Sequence, residues 1–456
     1  MQFRFALIST LLLGGVASSL AQASDGGSVQ LAVHPPMGWN SWDAYGLTIS
    51  EPQFRDNVNV LAKTLKPFGW QYAVIDEGWF LKNPRDVKTP DRLVYEIDAN
   101  GRYNPVPERF ASALVDGKNE GFRALSDYVH GLGLKFGIHI VRGIPRKSVK
   151  ENLPIADSRF HAEDAADTTD ACPWDPTNWG VRDTPAGQAW YDSLLGQYAG
   201  WGVDFIKVDC ISDHPYKPAE IRMIHKAIAK TGRPIVLSLS PGPTSPGIVQ
   251  QLLPYAQMWR ISDDLWDFWK NNRHAPRSVH DQFELAAAWA PYAHAGAWPD
   301  ADMLPLGYLG PEPGDGEARQ TRLTQGEQRT MVTLWSIMGS PLIVGANLTK
   351  LDDWTASLLT NRDILDIDQH AHDQRQVARE GDTVAWTAAG ENGIRYLALF
   401  NLNDRDKTIA RTYAFYNLLS GSYRSRELWS NEDRGRSDSI SLTLPPHSCI
   451  LLELTP

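Results

Sequence analysis

The chain has 456 residues, 42% of them apolar, and its 44 basic against 54 acidic residues give a formal net charge of −10. That length holds one large domain and a smaller one. The negative balance excludes a nucleic-acid or anionic-membrane surface as the main partner, because both would repel it, and leaves a neutral substrate open.

Residues 1–23 read as an export signal: Arg4, an apolar run, then small residues up to Ala21 and Ala23. No other segment has the roughly 18 uninterrupted apolar residues of a membrane span. The mature protein is therefore expected to be periplasmic or released, with no membrane partner.

Eight short β-type segments follow within residues 30–365: 36–42, 72–77, 135–141, 204–209, 234–240, 257–262, 293–297 and 332–343, the last only partly strand. Several are almost continuously apolar, as strands covered on both faces should be. Helical patterns lie between them, at Ala111–Leu132, Trp190–Tyr198 and Lys217–Lys230, each stopped by glycine. This alternation predicts a (β/α)8 barrel of the TIM type, whose catalytic groups sit at the C-terminal ends of the strands. Residues 142–187 are too long and polar for a standard loop and are expected to form an inserted lid or pocket wall. Within the insertion, Trp174 is a candidate sugar platform, with a core role equally open. From 366 to 456 the pattern changes to short alternating strands, such as 383–387, 395–401, 425–429, 439–444 and 449–454, predicting a small antiparallel β domain.

Three cysteines allow one disulfide at most, and Cys172 with Cys210 is a possible pair because both fall near barrel loops. Cys449 reads as a buried small hydrophobe. Their spacing is wrong for a zinc or iron–sulfur cluster.

Four of the β-type segments run into acids or into acid beside tryptophan: YAVIDEGW, FIKVDC, MWRISDDLWD and WPDADM. Buried carboxylates are costly unless paired or used, so a ring of them past apolar strands marks a polar pocket. Glycoside hydrolysis needs two carboxyl groups across one sugar-sized gap, and the ends of different barrel strands supply such gaps. Asp209 ends the fourth strand and Asp264 follows the sixth. Lys207 shares a strand face with Asp209 and would favour its ionised form. A structural ion pair is the plainer account of the same residues. Asp263, Asp264 and Asp267 crowd one loop, where like charges raise at least one pKa, and spacing alone leaves open which is the acid. Arg260 is a candidate fork for a sugar hydroxyl, or a salt bridge. Asp76 and Glu77 present two acceptors, and Trp42 and Trp79 are candidate flat walls, though lone tryptophans are more often core. Asp300 and Asp302 read best as supporting groups.

At these residues the chain resembles glycoside hydrolase family 27, the α-galactosidase and α-N-acetylgalactosaminidase family. PPMGWNSW, YAVIDEGW, LKFGIHI, WGVDFIKVD, WRISDD, WPDADML and LWSIMGSPLIVG carry the resemblance in order along the whole barrel. It implies a (β/α)8 barrel followed by an antiparallel β-sandwich, retention of configuration by double displacement, and no metal or organic cofactor. It places the nucleophile on Asp209, its companion lysine on Lys207, and the acid/base on Asp264 rather than Asp263. Arg260 matches a sugar-binding arginine and Trp42 an aromatic wall. Asp76 and Glu77 match an Asp-Asp pair that grips the galactose O4 and O6 hydroxyls.

Four departures stand out. Glu77 is one methylene longer than the family's aspartate, which would fill space used by C6 and favour a pentopyranose such as β-L-arabinopyranose. His139 replaces a usual tyrosine. Cys210 falls one place before the expected cysteine. The loop 238–245, SLSPGPTS, replaces a cysteine–glutamate–tryptophan kind, and compact Ser240 leaves room for a 2-acetamido group. The leading expectation is an exported retaining exo-glycosidase for terminal α-D-galactose on an oligo- or polysaccharide. Its close alternative is β-L-arabinopyranosidase or dual activity. More distant are α-N-acetylgalactosaminidase or another α-glycosidase, and, from another class, a non-catalytic carbohydrate-binding protein.

Overall fold

In the computed structural model residues 30–86, 92–270, 278–419 and 421–456 are described; the expected export signal at 1–23 lies outside them. Eight strands form one curled parallel sheet: β1 Met37–Asn40, β2 Tyr72–Ile75, β3 Lys135–Val141, β4 Phe205–Asp209, β5 Val236–Leu239, β6 Met258–Arg260, β7 Trp298–Asp300 and β8 Leu342–Val344. Their order is sequential from β7 back to β1, with β8 on the far side of β1. A parallel bridge between Leu304 and Val344 brings the β7 side to β8 and nearly closes the barrel.

The period-2 alternation of strands divides this barrel by height. Tyr72 and Val74, Phe205, Val236, Met258 and Trp298 form an apolar plug inside it. Two or four residues further along the same faces stand Asp76, Lys207 and Asp209, Ser238 and Ser240, Arg260, Asp300 and Asp302. The neighbours of opposite parity, such as Ile206, Val208, Leu237 and Trp259, are buried in the larger core that includes the surrounding helices. One alternation thus makes a dry floor and a polar mouth.

Three expected elements change. The segment 293–297 is a turn, with Gly296 at φ 82°, and the strand starts at Trp298. Its inward parity runs through Trp298, Asp300 and Asp302, not through the short apolar run before it. The apolar stretch at 332–343 is mostly helix Gln325–Met338, closed by Gly339 at φ 71°, before β8. Because Thr330–Met338 is buried on every side, hydrophobicity alone does not separate helix from strand there. The helix expected over Ala111–Leu132 occupies only Arg123–Gly131. Upstream of it Leu114–Val115 pairs with Lys118–Asn119 around an Asp116-Gly117 turn, both residues at positive φ. Asp-Gly is the sequence signature of that hairpin turn.

The inserted stretch is a wall. Three short antiparallel strands, Ile144–Pro145, Asn178–Val181 and Ala166–Ala171, pair in that order. Ile144, Val149, Ile155 and Val181 pack into the main core. A fully buried guanidinium pins this wall to β4. Arg142 donates to Asp170 in the insertion, to Glu220 on the helix Pro218–Thr231, and through Nε to the carbonyl of Cys210 at 2.6 Å. Cys172 is disulfide-bonded to Cys210 beside it.

The C-terminal region carries a six-stranded antiparallel sheet in the order 372–380, 383–389, 395–401, 448–455, 423–427, 433–437, and a pair formed by 407–412 with 439–444. Alternation again sorts the faces. Leu397, Leu399, Ile450 and Leu452 join the inner cluster of this region, whereas Trp386, Ala398, Phe400 and Leu451 join the main core. Phe400 meets Phe283 of a barrel helix edge-on, with ring centroids 5.0 Å apart. Cys449, expected to be buried, is the free cysteine and is partly exposed.

Candidate active site

The polar ends of the strands surround a cleft of about 380 Å³ lined by Trp42, Asp43, Asp76, Glu77, His139, Lys207, Asp209, Ser240, Asp264, Leu265, Trp266, Asp302 and Met303. Of the residues singled out from the sequence, Trp42, Asp76, Glu77, His139, Lys207, Asp209, Ser240, Asp264 and Asp302 are on this wall. Arg260 stands behind it, and Trp174 is elsewhere.

Register explains the first group. The β3–β4 pairing sets His139 beside Lys207 and Val141 beside Asp209. His139 Nε2 lies 3.6 Å from Asp209 Oδ2, and the Cys210 N–H donates to Asp209 Oδ1 at 2.7 Å. Burial works against the charge on Asp209, but His139, Lys207 and the Cys210 amide outweigh it and hold the carboxyl below its ordinary range. Lys207 acts on Asp209 through its charge, as its spacing invites, and places its hydrogen bond elsewhere. It donates to Asp76 Oδ2 at 3.0 Å, which also accepts from Asn40 Nδ2 at 2.7 Å. Against its burial, Asp76 is thereby kept well below the carboxylate range. Lys207 is half-buried, and although desolvation works against its charge, Asp76 and Asp209 raise it and it stays charged.

Glu77 has the opposite surroundings. Burial, then the charge and hydrogen bond of Asp175, then Asp209 and Asp76 push its carboxyl well above the usual range.

At the far side Arg260, 2% exposed, reaches Asp302 Oδ2 at 2.6 Å and Asp264 Oδ1 at 3.2 Å. It therefore braces two acids from behind. Asp302 also accepts the Leu265 N–H at 2.7 Å, which fixes the backbone after Asp264. Burial, with Asp264 and Asp300 adding to it against the pull of Arg260, raises Asp302 to about 7. Asp264 itself has a half-exposed side chain at the mouth. Asp267 belongs to another network, accepting from Arg319 and Arg322.

Trp42 is half-buried on the cleft wall, with its ring against Gly314; a Cβ there would fall 2.3 Å from the indole. Trp79 is core: it is fully buried, and its Nε1 donates to the His139 carbonyl at 2.9 Å. Trp174 is neither core nor cleft wall. It is 44% exposed, with its ring 5.3 Å from that of His214. Cys172 on one side, held by its disulfide, and Asp175 on the other are both buried, and Trp174 in the Pro173-Trp174 step between them turns out.

Two acids escaped the sequence reading. Asp43, buried one residue past Trp42, fits only because position 345 is glycine: a Cβ there would lie 1.9 Å from its Oδ2. Burial first, then Asp302, raises Asp43 well above the carboxylate range. An acid inside the first βα turn, in GWNSWDAY, was the available signal. Asp175 is the other. Among the described residues no group of three or more His, Cys, Asp and Glu is arranged to hold a metal ion, and no helix is long and apolar enough to cross a membrane.

Comparison with known proteins agrees with this geometry. Residues 178–370 match the family model described as Alpha galactosidase A, and residues 380–454 match that of the Alpha galactosidase C-terminal beta sandwich domain. A GH27 β-L-arabinopyranosidase from Geobacillus stearothermophilus is 42% identical, with a TM-score of 0.87 over 93% of this chain and 97% of that one. A variant of that enzyme has been solved in complex with arabinose. α-Galactosidase A of Cellvibrio japonicus is 27% identical across 98% of this chain and 99% of its own length. The chain is a glycoside hydrolase and belongs to family 27.

Proposed function

We propose that this hydrolase is a retaining exo-glycosidase whose preferred substrate is a terminal β-L-arabinopyranoside, with α-D-galactosides as slower substrates. The observation that carries the choice is Glu77 on the cleft wall, where the family resemblance expects an aspartate near the sugar's C6. β-L-Arabinopyranose has the hydroxyl layout of galactose without the hydroxymethyl group, so a longer acid costs it nothing. The 42% identity to a β-L-arabinopyranosidase supports this reading above the α-galactosidase expected first. The relatives named α-galactosidase, at 26–27% identity across most of the chain, support the second substrate.

In this reading Asp209 attacks C1 as the C1–O bond to the leaving group breaks, and Asp264 gives that oxygen its proton. The glycosyl ester on Asp209 then reacts with water. Asp264 takes the water's proton while its oxygen bonds to C1, and the ester C–O bond breaks to free Asp209. Asp209, held ionised, suits the attack, and Asp264 at the exposed mouth suits an aglycone that extends into solvent. Export, expected from residues 1–23, would place the reaction outside the cytoplasm, where the Cys172–Cys210 disulfide persists.

Side-by-side kcat/KM values on nitrophenyl β-L-arabinopyranoside and α-D-galactoside test the substrate. The arabinoside is expected to be faster. Glu77→Asp should raise the galactoside-to-arabinoside ratio, by about the 1–3 kcal/mol that one methylene is worth. A wild-type preference for the galactoside, with a ratio indifferent to Glu77→Asp, would return the assignment to α-galactosidase.

A further inference from the structure

Among the aspartates of the cleft, Asp43 stands apart. It is 1% exposed and lines the wall, yet its Oδ2 has no hydrogen-bond partner among the described residues. Its fellow aspartates are engaged. Asp76 accepts from Asn40 and Lys207, Asp209 from the Cys210 N–H, and Asp264 from Arg260. Asp302 pairs with Arg260 and accepts the Leu265 N–H. A buried acceptor left unpaired costs stability, and folded proteins keep few of them. One that lines a substrate cleft can be paired by the substrate itself.

Strand parity shows how the carboxyl comes to be there. Leu342 and Val344 of β8 are buried in the main core, so Ile343 and residue 345 have the inward parity of the barrel. At the level of the polar mouth that inward residue is Gly345, and β8 contributes no side chain. Asp43, from the turn after β1, fills the place. A Cβ on residue 345 would meet its side chain first, 1.9 Å from Oδ2, 2.3 Å from Cγ and 2.6 Å from Cβ. The charged groups that act on Asp43 are Asp302, Lys207, Asp76 and Asp264, which stand on or just past β7, β4, β2 and β6. The carboxyl is thus a member of the polar ring, seated where β8 leaves a gap.

That seat decides what it can reach. In glycoside hydrolysis the two catalytic carboxyls flank the scissile bond at C1, here Asp209 at the end of β4 and Asp264 past β6. In an eight-stranded barrel the side of the mouth facing that pair belongs to β8, β1 and β2. The pyranose atom across the ring from C1 is C4. We infer that Asp43 is a sugar-binding residue that hydrogen-bonds the 4-hydroxyl of the bound pyranose. The contact rests on Asp209 attacking C1, and it is the same for an arabinopyranoside and a galactoside, whose 4-hydroxyls share one configuration. A carboxyl accepts from a hydroxyl, and it also donates when it holds a proton. Burial first, and then Asp302, favour the proton-holding form here.

The test is a cycle of two changes on the full chain. One change is Asp43→Ala. The other removes the 4-hydroxyl from whichever nitrophenyl glycoside wild type cleaves faster. On the parent glycoside Asp43→Ala should lower kcat/KM about 10- to 100-fold, the worth of a hydrogen bond to a carboxyl. On the 4-deoxy glycoside the same substitution should cost little, so the two losses do not multiply. Asp43→Asn keeps an acceptor and a donor in the same shape and should restore most of the activity. Gly345→Ala leaves the carboxyl chemically intact but drives it from its seat, so it should repeat the Asp43→Ala pattern, and it serves alone if the Asp43→Ala chain does not fold. Losses that multiply in full would overturn the contact and leave the proposed reaction intact. An Asp43→Ala enzyme with wild-type kcat/KM on the parent glycoside would overturn it too. A wild-type enzyme that cleaves neither the arabinopyranoside nor the galactoside would instead remove the attack by Asp209 on which the contact depends.

Discussion

Asp209 and Glu77 line the same cleft, both largely shielded from water, and their surroundings drive them in opposite directions. Around Asp209 the strand register gathers His139, Lys207 and the Cys210 amide, and the carboxyl is held ionised. Around Glu77 burial acts with the like charges of Asp175, Asp209 and Asp76, and the carboxyl is pushed well above its usual range. Burial is unfavourable to charge in both places, so partners decide the outcome. A nucleophile needs the first environment. A rigid wall against a neutral sugar is better served by the second, where the acid can donate as well as accept.

The largest effect should come from removing the charged corner. Asp209→Asn keeps the shape and leaves an amide that cannot form the ester, so turnover on both glycosides should fall to background while sugar binding, followed by calorimetry, persists. Turnover near wild type would remove Asp209 from the reaction and with it the contrast between the corners.

Asp264→Asn comes next. A general acid is typically worth 10²–10⁴-fold, and the loss should be large for leaving groups that need a proton and small for activated aryl ones. An equal loss for both kinds of leaving group would argue that Asp264 does not donate it.

Arg142 joins the two corners mechanically, since it holds the Cys210 carbonyl after Asp209 and Asp170 of the wall that carries Asp175. Arg142→Met would leave Glu220 buried without its cation, while Asp170 keeps Lys217 at 2.7 Å. Breaking such a pair costs about 3–5 kcal/mol, so a fall in Tm of many degrees is expected. A melting point within a degree or two of wild type would mean the wall is held by the disulfide and apolar packing alone.

Much of this was readable from the chain because barrel strands obey parity. Lys207 and Asp209 share a face by spacing alone, and the acids that end the apolar runs do line one mouth. The same rule, applied through Trp298, Asp300 and Asp302, would have located β7 two residues past the turn at Gly296. What parity does not reach is the direction of a side chain in a loop. Trp174 was the conspicuous residue of the insertion, but between the disulfide at Cys172 and the buried Asp175 it faces solvent. The electrostatic coupling of Glu77 to Asp175 joins the end of β2 to a loop that follows β3, and nothing local in either segment announces the other. Asp43 was hidden for a related reason, since its fit depends on a glycine contributed by the loop after β8.

The smallest effect distinguishes how the charged corner works. His139 Nε2 is 3.6 Å from Asp209, and its Nδ1 is buried without a partner, so the ring serves the acids on one side only. His139→Phe removes that support while Lys207 and the Cys210 amide remain. The Asp209 carboxyl should then rise, and the acid limb of kcat/KM, which reports the ionised base of the free enzyme, should move to higher pH by about one unit, or 1.4 kcal/mol. The linkage has the same sign in stability. A carboxyl depressed in the folded state stabilises it above the unfolded value of about 3.9, and that contribution fades as pH falls through the folded value. The variant should therefore lose stability at neutral pH and lose less of it on acidification than wild type does. Because His139 faces Asp76 as well, the arabinoside KM should rise alongside the shift. An acid limb that stays in place would assign the ionisation of Asp209 to Lys207 and the strand-end amide, and would make His139 a packing residue where the family resemblance expects tyrosine.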